Sequence, residues 1–120
     1  KMIEVVIAGT IYLASLLGCY DGDTCKIEVE EFVPFKVYSM RLEGFDTPEI
    51  RGKCDEEKAL AKEAKTYTTN FMSTVSTIYV SEETDKYGRL IVTVPNLAEA
   101  LIEQGLARPY DGGKRLSWCE

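Results

Sequence analysis

The first 42 residues consist mostly of strand-type segments joined by turn signals, and this pattern constrains the fold more than any other feature of the chain. Residues 2–19 are rich in apolar and β-branched side chains and predict one long first strand ending near Tyr20. Asp21-Gly22 supplies the turn chemistry of a hairpin. Residues 25–30 alternate apolar and polar side chains, and residues 35–42 are again aromatic and branched. We therefore predict a β-meander.

A helix is predicted directly after this meander, over residues 55–71. Leu60, Ala64, Tyr67 and Phe71 recur at the spacing of one helical face. The charged side chains of this segment are expected on the solvent side: Glu56, Glu57, Lys58, Lys62, Glu63 and Lys65.

Two more strands and a short helix complete the predicted order. Strands are expected over residues 74–80 and 89–94, with a polar loop over residues 81–88. Residues 96–104 predict a helix that Asn96 and Glu99 begin with a capping box and Gly105 ends. The order β-β-β-α-β-β-α is that of a mainly β, five-stranded OB-fold barrel with two to three helices. We expect a single domain over residues 1–120.

The composition of the chain excludes several kinds of catalytic and metal site. The chain has no histidine, which excludes Ser-His-Asp triads, Cys-His nucleophile pairs and histidine-ligated zinc. The net charge of −6 argues against a broad basic surface that coats nucleic acid. Any site for a polyanion must therefore concentrate positive charge locally or take it from a metal ion.

The four cysteines form no Cys-x-x-Cys pair, so a zinc ribbon or a thioredoxin-type motif is not indicated. Cys19 and Cys25 flank one predicted turn, which favours the pairing Cys19–Cys25 with Cys54–Cys119. Two disulfides would imply an oxidising compartment. Four buried free thiols are the alternative.

The apolar start has a second interpretation. Residues 2–19 end in Leu-Leu-Gly-Cys and are similar to a signal peptide or lipoprotein signal. Glu4 interrupts the run, and a membrane span needs about 20 apolar residues. We favour the strand and keep membrane association through this segment as the lesser alternative.

Carboxylates cluster at two predicted turns. Asp21 and Asp23 lie on the hairpin turn, and Asp46 and Glu49 follow the third strand. Asp23 and Asp46 with the Thr47 carbonyl would suit an open Ca²⁺ site, although Asp-Gly and Asp-Thr-Pro are also ordinary turn formers. In a chain without histidine, Glu49 is a candidate general base, with a solvated loop glutamate as the alternative.

Two arginines could bind phosphate. Arg41 ends a strand near Asp46, and Arg89 begins one after the Tyr87-Gly88 turn, so both could face one pocket. Simple pairing of each arginine with a nearby acid is the competing interpretation. Lys86, Tyr87 and Tyr110 could complete substrate binding through a phosphate contact and base stacking, although turn tyrosines often only pack at a rim.

Four ordered motifs resemble those of the staphylococcal nuclease (thermonuclease) family, over about residues 17–110. They are residues 21–24 (Asp-Gly-Asp-Thr), Arg41 with residues 46–49 (Asp-Thr-Pro-Glu), residues 84–89 (Thr-Asp-Lys-Tyr-Gly-Arg) and residues 99–107 (Glu-Ala-Leu-Ile-Glu-Gln-Gly-Leu-Ala). The resemblance implies a Ca²⁺-dependent nuclease that cleaves DNA and RNA with little sequence preference and leaves 3′-phosphate ends. Single-stranded or frayed substrates would be preferred.

The resemblance also implies roles for individual residues. Asp23, Asp46 and the Thr47 carbonyl would bind Ca²⁺, and Asp21 would lie just outside the ligand set. Glu49 would be the general base. Arg41 and Arg89 would bind phosphate and stabilise the transition state. Lys86, Tyr87 and Tyr110 would contact the substrate.

Residues 49–54 and 107–119 resemble a branch of the family found in Gram-negative bacteria and their mobile elements. That resemblance implies a Cys54–Cys119 link and an exported protein, either secreted or in the periplasm or cell envelope.

Two other function classes stand beside the enzyme. A non-catalytic OB-fold module that grips nucleic acid would be expected to lack one or more of the five key residues, and none is missing: Asp23, Arg41, Asp46, Glu49 and Arg89. A structural, envelope-attached domain would account for the apolar start but leaves the motifs unexplained. No protein partner is implied, and we expect a monomer.

Overall fold

The computed structural model describes residues 2–30 and 36–120, and these residues form eight strands and two helices. The strands are β1 (Met2–Ile7), β2 (Thr10–Asp21), β3 (Thr24–Val29), β4 (Lys36–Leu42), β5 (Phe45–Asp46), β6 (Thr77–Thr84), β7 (Leu90–Thr93) and β8 (Arg108–Pro109). The helices are α1 (Asp55–Met72) and α2 (Leu97–Glu103). Phe35, where the third strand was predicted to begin, and the preceding Pro34 lie outside the described residues.

Six of the described strands close a barrel in the order β1-β2-β3-β4-β7-β6. Consecutive strands from β1 to β4 pair antiparallel, as do β6 and β7. Parallel pairs of β4 with β7 and of β1 with β6 complete the closure. The prediction of a mainly β, OB-fold type of barrel with two helices is confirmed.

The single long strand predicted over residues 2–19 is wrong, because the segment folds as a hairpin. Ala8 and Gly9 form its two-residue loop with φ of 49° and 80°, and Ile7 pairs with Thr10. Positive φ at both loop positions is the geometry that matches the twist of two antiparallel strands. Ala-Gly is a weak signal for such a turn, so the hairpin is hidden within an apolar run, and the barrel has six strands instead of five.

The polar loop predicted over residues 81–88 is shorter in the structure. Strand β6 continues to Thr84, which pairs with Leu90 across the hairpin. Asp85 closes the connection by accepting the backbone N–H groups of Tyr87 and Arg89 at 2.9 and 2.8 Å. This tight closure brings Arg89 to the rim of the barrel.

Helix α1 follows the predicted bounds but has a different buried face. Its buried positions are Glu57, Ala61, Ala64, Thr68 and Met72, whereas Leu60, Tyr67 and Phe71 are only partly buried against the core. The prediction that Glu57 lies on the solvent side is therefore wrong. Two polar side chains on the buried face, Glu57 and Thr68, bind loops of the barrel.

Helix α2 has the predicted position without the predicted cap. Asn96 has φ 69° and makes no side-chain hydrogen bond to the helix, so the capping box with Glu99 is not formed. Gly105, at φ 72°, ends the helix as predicted, and the next N–H, from Leu106, reaches the Leu101 carbonyl at 2.9 Å.

The core fills the barrel and continues under both helices. Its largest fully buried side chains are Phe45, Ile3, Ile27, Met40, Leu42, Met72, Ile78, Leu97 and Leu101. Within residues 2–30 and 36–120, no helix is long and apolar enough to cross a membrane.

Candidate active site

The turn that carries Asp23 is held against helix α1. Thr68 donates its hydroxyl to the Gly22 carbonyl at 2.7 Å, and both groups are buried. A side chain at Gly22 would place its Cβ 2.8 Å from Thr47 Cγ2 and 2.9 Å from Ala64 Cβ. Only glycine lets the turn approach the helix and the loop after β5 this closely.

The two carboxylate regions predicted from sequence converge. Strand β3 pairs with β4, and Leu42 donates its N–H to the Asp23 carbonyl at 2.8 Å. Thr47 donates its N–H to Asp23 Oδ2 at 3.4 Å. Asp21, Asp23, Asp46 and Thr47 are all buried. Burial, with the charge of Asp23 next in weight, raises the pKa of Asp21 to about 7.

Glu49 lies on the loop between β5 and α1, and a buried glutamate fixes that loop. Glu57 accepts the backbone N–H of Glu49 at 3.1 Å and that of Lys53 at 3.0 Å. Gly52 passes so close that a Cβ there would lie 2.5 Å from Glu57 Cγ. The Glu49 side chain itself is 49% exposed and points to the cleft.

Arg41 projects from β4 beside the acidic turn. Its guanidinium donates to the carbonyls of Leu42 and Phe45 and pairs with Asp23 Oδ2 at 3.3 Å. It also lies 6.0 Å from the centre of the Tyr110 ring. The arginine is therefore oriented by the barrel edge and shares the cleft with Asp23.

Arg89 is oriented by Asp85. Arg89 Nε donates to Asp85 Oδ2 at 2.6 Å, and the guanidinium lies 5.4 Å from the Tyr87 ring. Desolvation opposes ionisation of Asp85, but hydrogen bonds from Arg89 and Tyr87 outweigh it and lower the pKa of that carboxyl. Arg89 Nη1 also reaches Thr24 Oγ1 at 3.5 Å, which joins the β6–β7 hairpin to the acidic turn.

A cleft of about 520 Å³ collects these groups. It is lined by Asp21, Asp23, Thr24, Arg41, Glu49, Asp85, Lys86, Tyr87, Arg89, Tyr110, Gly112 and Arg115. Asp46 and Thr47 do not line it and lie in the adjoining buried layer. A larger neighbouring cleft of about 750 Å³ shares Arg41, Asp85 and Tyr110 but contains neither Asp23 nor Glu49. We therefore take the smaller cleft as the candidate site.

The three predicted substrate contacts lie at the rim of this cleft. Tyr87 is 72% exposed, and the Lys86 ammonium lies 5.3 Å from its ring. Tyr110 is joined to the barrel by its N–H, which donates to the Gly44 carbonyl at 3.2 Å, and its hydroxyl donates to the Gly113 carbonyl at 2.7 Å. Both rings line the cleft.

Arg115 is a site residue that the sequence interpretation missed. Its guanidinium contacts three groups assigned to metal binding or base chemistry: Asp46 Oδ1 at 2.6 Å, the Thr47 carbonyl at 3.5 Å and the Glu49 carboxylate. Burial opposes the charge, but Asp46 and Glu49 together raise the pKa of this guanidinium. The Arg115 guanidinium thus joins Asp46 to Glu49.

The segment around Arg115 is anchored on both sides. Tyr110 begins it at the barrel, and the Cys119 sulfur lies at disulfide distance, 2.05 Å, from that of Cys54 at the start of α1. Arg108 stacks on Trp118 at 3.8 Å and donates to the Ser117 carbonyl at 2.8 Å. The other cysteine pair, Cys19 with Cys25, joins facing residues of β2 and β3 at 2.13 Å. The cysteine pairing favoured from sequence matches these distances.

The sequence contains a signal for Arg115. Arg115 lies four residues before Cys119, and Glu49 lies five residues before Cys54. A Cys54–Cys119 link therefore brings the two side chains within reach of each other. Glu57 has no comparable signal, because its spacing fits the exposed face of a helix equally well.

The donor set fits a hard cation. Asp46 Oδ1 and Thr47 Oγ1 are buried and have no hydrogen-bond partner among the described residues, and the 2.6 Å contact from Arg115 lacks hydrogen-bond angles. Among the described residues, Cys54, Glu57 and Cys119 place three possible ligand atoms within 4.8 Å of one another, and their two sulfurs are already paired; the carboxylates of Asp21, Asp23 and Asp46 do not form such a group. Ca²⁺ at Asp46 would therefore combine a few protein oxygens with water.

Comparison with known proteins is consistent with this site. No curated protein matches the chain. A family model described as staphylococcal nuclease homologue matches residues 39–116, which include Arg41, Asp46, Glu49, Arg89 and Arg115. This match covers well over half of the 120 residues and agrees with the mainly β barrel, while the turn that carries Asp21 and Asp23 lies before the matched residues. The chain belongs to the staphylococcal nuclease homologue family.

Proposed function

We propose that this protein is a calcium-dependent nuclease that hydrolyses phosphodiester bonds of DNA and RNA with little sequence preference and leaves 3′-phosphate ends. The observation that carries the proposal is the convergence of Arg41, Arg89 and Glu49 with the carboxylates of the β2–β3 turn on one cleft. Family membership supports the coarser statement, a nuclease-type or nucleic-acid-binding domain.

The basic and acidic side chains of the cleft have different roles in the proposed reaction. Arg41 and Arg89 present planar guanidinium groups that suit two phosphate oxygens each, and they stabilise the charge that accumulates as the phosphorus becomes pentacoordinate. Glu49 accepts a proton at its carboxylate from the attacking water. Asp23, Asp46 and the Thr47 carbonyl would hold Ca²⁺, with Asp21 beside them. When bound, Ca²⁺ supplies positive charge that neutralises and positions the phosphate.

The rim favours unpaired nucleotides. Tyr87 and Tyr110 offer aromatic faces, and Lys86 offers a cation beside one of them. A base can stack on such a ring only when it has left its own duplex, and stacking is indifferent to sequence. We therefore propose single-stranded or frayed DNA and RNA as preferred substrates for a monomeric enzyme.

We also propose an oxidising location, either outside the cell or in the periplasm or cell envelope. The support is the pair of cysteine contacts at disulfide distance in a small domain. Association with a membrane through the apolar N-terminal segment is a lesser proposal, supported by exposed Ile11, Leu13 and Leu17 on β2.

The deciding experiment is cleavage of denatured DNA and of RNA, in parallel, with Ca²⁺ and then with a calcium chelator. We expect cleavage with Ca²⁺, 3′-phosphate ends on the products, loss of cleavage in chelator, and recovery when Ca²⁺ is restored. Robust cleavage in chelator would overturn the metal assignment. Retention of nucleic acid without cleavage under all conditions would favour a non-catalytic binding module.

A further inference from the structure

Arg115 bridges two groups that the proposed reaction uses separately. Its Nη2 lies 2.6 Å from Asp46 Oδ1 and 3.5 Å from the Thr47 carbonyl, and its Nη1 contacts Glu49. Asp46 and the Thr47 carbonyl are the oxygens assigned to the cation, and Glu49 is the assigned base. A single guanidinium thus lies against the cation ligands and the base together.

The position of Arg115 is set by the chain around it. Cys119, four residues later, is joined to Cys54, and Trp118 stacks on Arg108. The indole N–H of Trp118 also points to Asp46, at 3.4 Å from Oδ2. These contacts raise the effective concentration of Arg115 at Asp46, because they keep the guanidinium near the carboxylate even when the contact between the two is broken.

We propose that Arg115 is an internal counter-ion that competes with Ca²⁺ for Asp46 and the Thr47 carbonyl. Its departure from Asp46 also breaks the contact with Glu49, so cation loading and release of the base occur together. The inference rests on the proposed function, because it takes Ca²⁺ as the competing cation. No other step of the proposed reaction depends on it.

The proposed competition predicts a measurable change in the apparent dissociation constant of Ca²⁺. The apparent dissociation constant of Ca²⁺ equals the intrinsic constant divided by the fraction of molecules in which Arg115 has left the site. The Arg115 side chain is 43% exposed, so solvent screening weakens its contact with the buried Asp46, and we take the low end for such a contact, a closed population about tenfold above the open one. Removing the guanidinium should therefore tighten Ca²⁺ binding by about tenfold.

Trp118 provides a readout that does not depend on catalysis. It is the single tryptophan of the chain and its N–H points to Asp46, so its fluorescence should respond to an ion at that carboxylate. We would titrate Ca²⁺ into the wild-type protein, Arg115→Met and Lys114→Met, and measure affinity by Trp118 fluorescence and by calorimetry. Lys114→Met is the matched control, because it removes the same charge from the neighbouring exposed position.

The expected result is about tenfold tightening in Arg115→Met and a change within about twofold in Lys114→Met. Equal or weaker binding in Arg115→Met overturns the competition and leaves the calcium-dependent nuclease intact. Equal tightening in both variants also overturns it, because net charge alone would then be responsible. No Ca²⁺ binding in any of the three proteins rejects the calcium assignment itself. Should Arg115→Met fail to fold, Arg115→Gln is the substitute, since it removes the competing charge but keeps a polar side chain, and the same tightening is expected of it.

A second experiment tests whether the Cys54–Cys119 link holds Arg115 at Asp46. Cys54→Ser with Cys119→Ser removes the link and replaces the capping sulfur of Cys54 with an oxygen, and serine is a favourable cap at a helix start. We expect this double variant to tighten Ca²⁺ binding toward the Arg115→Met value and to have no further effect when combined with Arg115→Met. Wild-type affinity in the double variant would overturn the contribution of the tether.

Discussion

At the scale of single residues, Asp46 and Glu49 share one cationic neighbour but have very different surroundings. The Asp46 side chain is 3% exposed, whereas that of Glu49 is 49% exposed. A buried carboxylate must be compensated by an adjacent positive charge, while an exposed one is solvated by water. Asp46 is therefore suited to holding a cation, and Glu49 to exchanging protons with a solvent molecule in the cleft.

The substitution Glu49→Gln tests that division. It keeps the shape of the side chain and removes the proton acceptor, so we expect the cleavage rate to fall by about 10²- to 10⁴-fold. Nucleotide binding should persist, because both arginines remain. The measurement is single-turnover cleavage beside equilibrium nucleotide binding, with exposed Glu56→Gln as the control. Near-normal turnover would remove Glu49 from the mechanism.

Asp85 acts through Arg89. Its Oδ2 accepts Arg89 Nε, and its Oδ1 accepts the two backbone N–H groups that close the β6–β7 hairpin. These hydrogen bonds favour the ionised carboxylate, which is why the pKa of Asp85 is lowered despite desolvation. The ionised form therefore contributes to stability.

The sign of that contribution fixes its pH range. Because the folded pKa lies below the unfolded value of about 3.9, the contribution is fully present above about pH 5 and is lost as pH falls through the folded pKa. We expect Asp85→Asn to lower the free energy of unfolding near neutral pH and to match the wild type in strong acid. Urea denaturation at a series of pH values measures this, with Glu83→Gln on the same hairpin as the control. A difference that stays constant with pH would contradict the assignment.

At the scale of secondary-structure elements, helix α1 acts as the platform of the site. Thr68 holds the β2–β3 turn, and Glu57, three turns earlier on the same buried face, holds the loop that carries Glu49. The acidic turn and the base loop are thus oriented by one rigid element. Sites supported in this way lose precision when the supporting contact is removed, even if the reacting groups are intact.

Glu57→Gln should destabilise the protein by about 1–3 kcal/mol, because a buried charged acceptor of two backbone N–H groups is replaced by an amide. We also expect slower cleavage, since the hydrogen bond that holds the Glu49 backbone N–H in place is weakened. Denaturant unfolding and cleavage assays measure the two effects. Glu56→Gln is the matched control, because it makes the same change at an exposed position one residue earlier. Equal effects of the two substitutions would show that Glu57 does not hold the loop.

At the scale of the whole molecule, the C-terminal segment folds back across the site and is linked to the start of α1. The Cys54–Cys119 link encloses a sequence separation of 65 residues, whereas Cys19–Cys25 encloses 6. A link that closes a longer loop removes more conformational entropy from the unfolded chain. The two links should therefore differ in their effect on stability.

We expect replacement of Cys54 and Cys119 by serine to cost about 4 kcal/mol, and replacement of Cys19 and Cys25 about 2 kcal/mol, on the loop-entropy estimate. Denaturant unfolding of the two double variants measures the difference. The oxidised wild-type protein should take up no alkylating reagent before reduction and four equivalents after it, as determined by mass spectrometry. Four reactive thiols in the unreduced protein would contradict both links.

The net charge is also a property of the whole chain. Although the net charge is −6, the cleft balances four basic side chains, Arg41, Lys86, Arg89 and Arg115, against four acidic ones, Asp21, Asp23, Glu49 and Asp85. The arginines therefore offset the local negative charge, and a bound cation would supply the positive charge that a polyanionic substrate requires.

The sequence by itself determined the features that depend on neighbouring residues. The span of α1, the Asp21-Gly22 turn, the end of α2 at Gly105 and the residue types of the site all follow from local patterns. These patterns act over a few residues, where backbone geometry and hydrophobic periodicity are enough to define structure. The resemblance of the motifs indicated the staphylococcal nuclease family, and the family match over residues 39–116 confirms that membership.

Only the tertiary structure decided the contacts that join distant parts of the chain. The hairpin at Ala8-Gly9 depends on closing the barrel against β6, the burial of Glu57 depends on the loop it binds, and Arg115 reaches Glu49 across 66 residues. Such contacts have no local periodicity, because they are formed when packing offsets the entropy of closing long loops. The residue types of the site are therefore evident from sequence, while the contacts of Arg115 with Asp46 and Glu49 are established only by the fold.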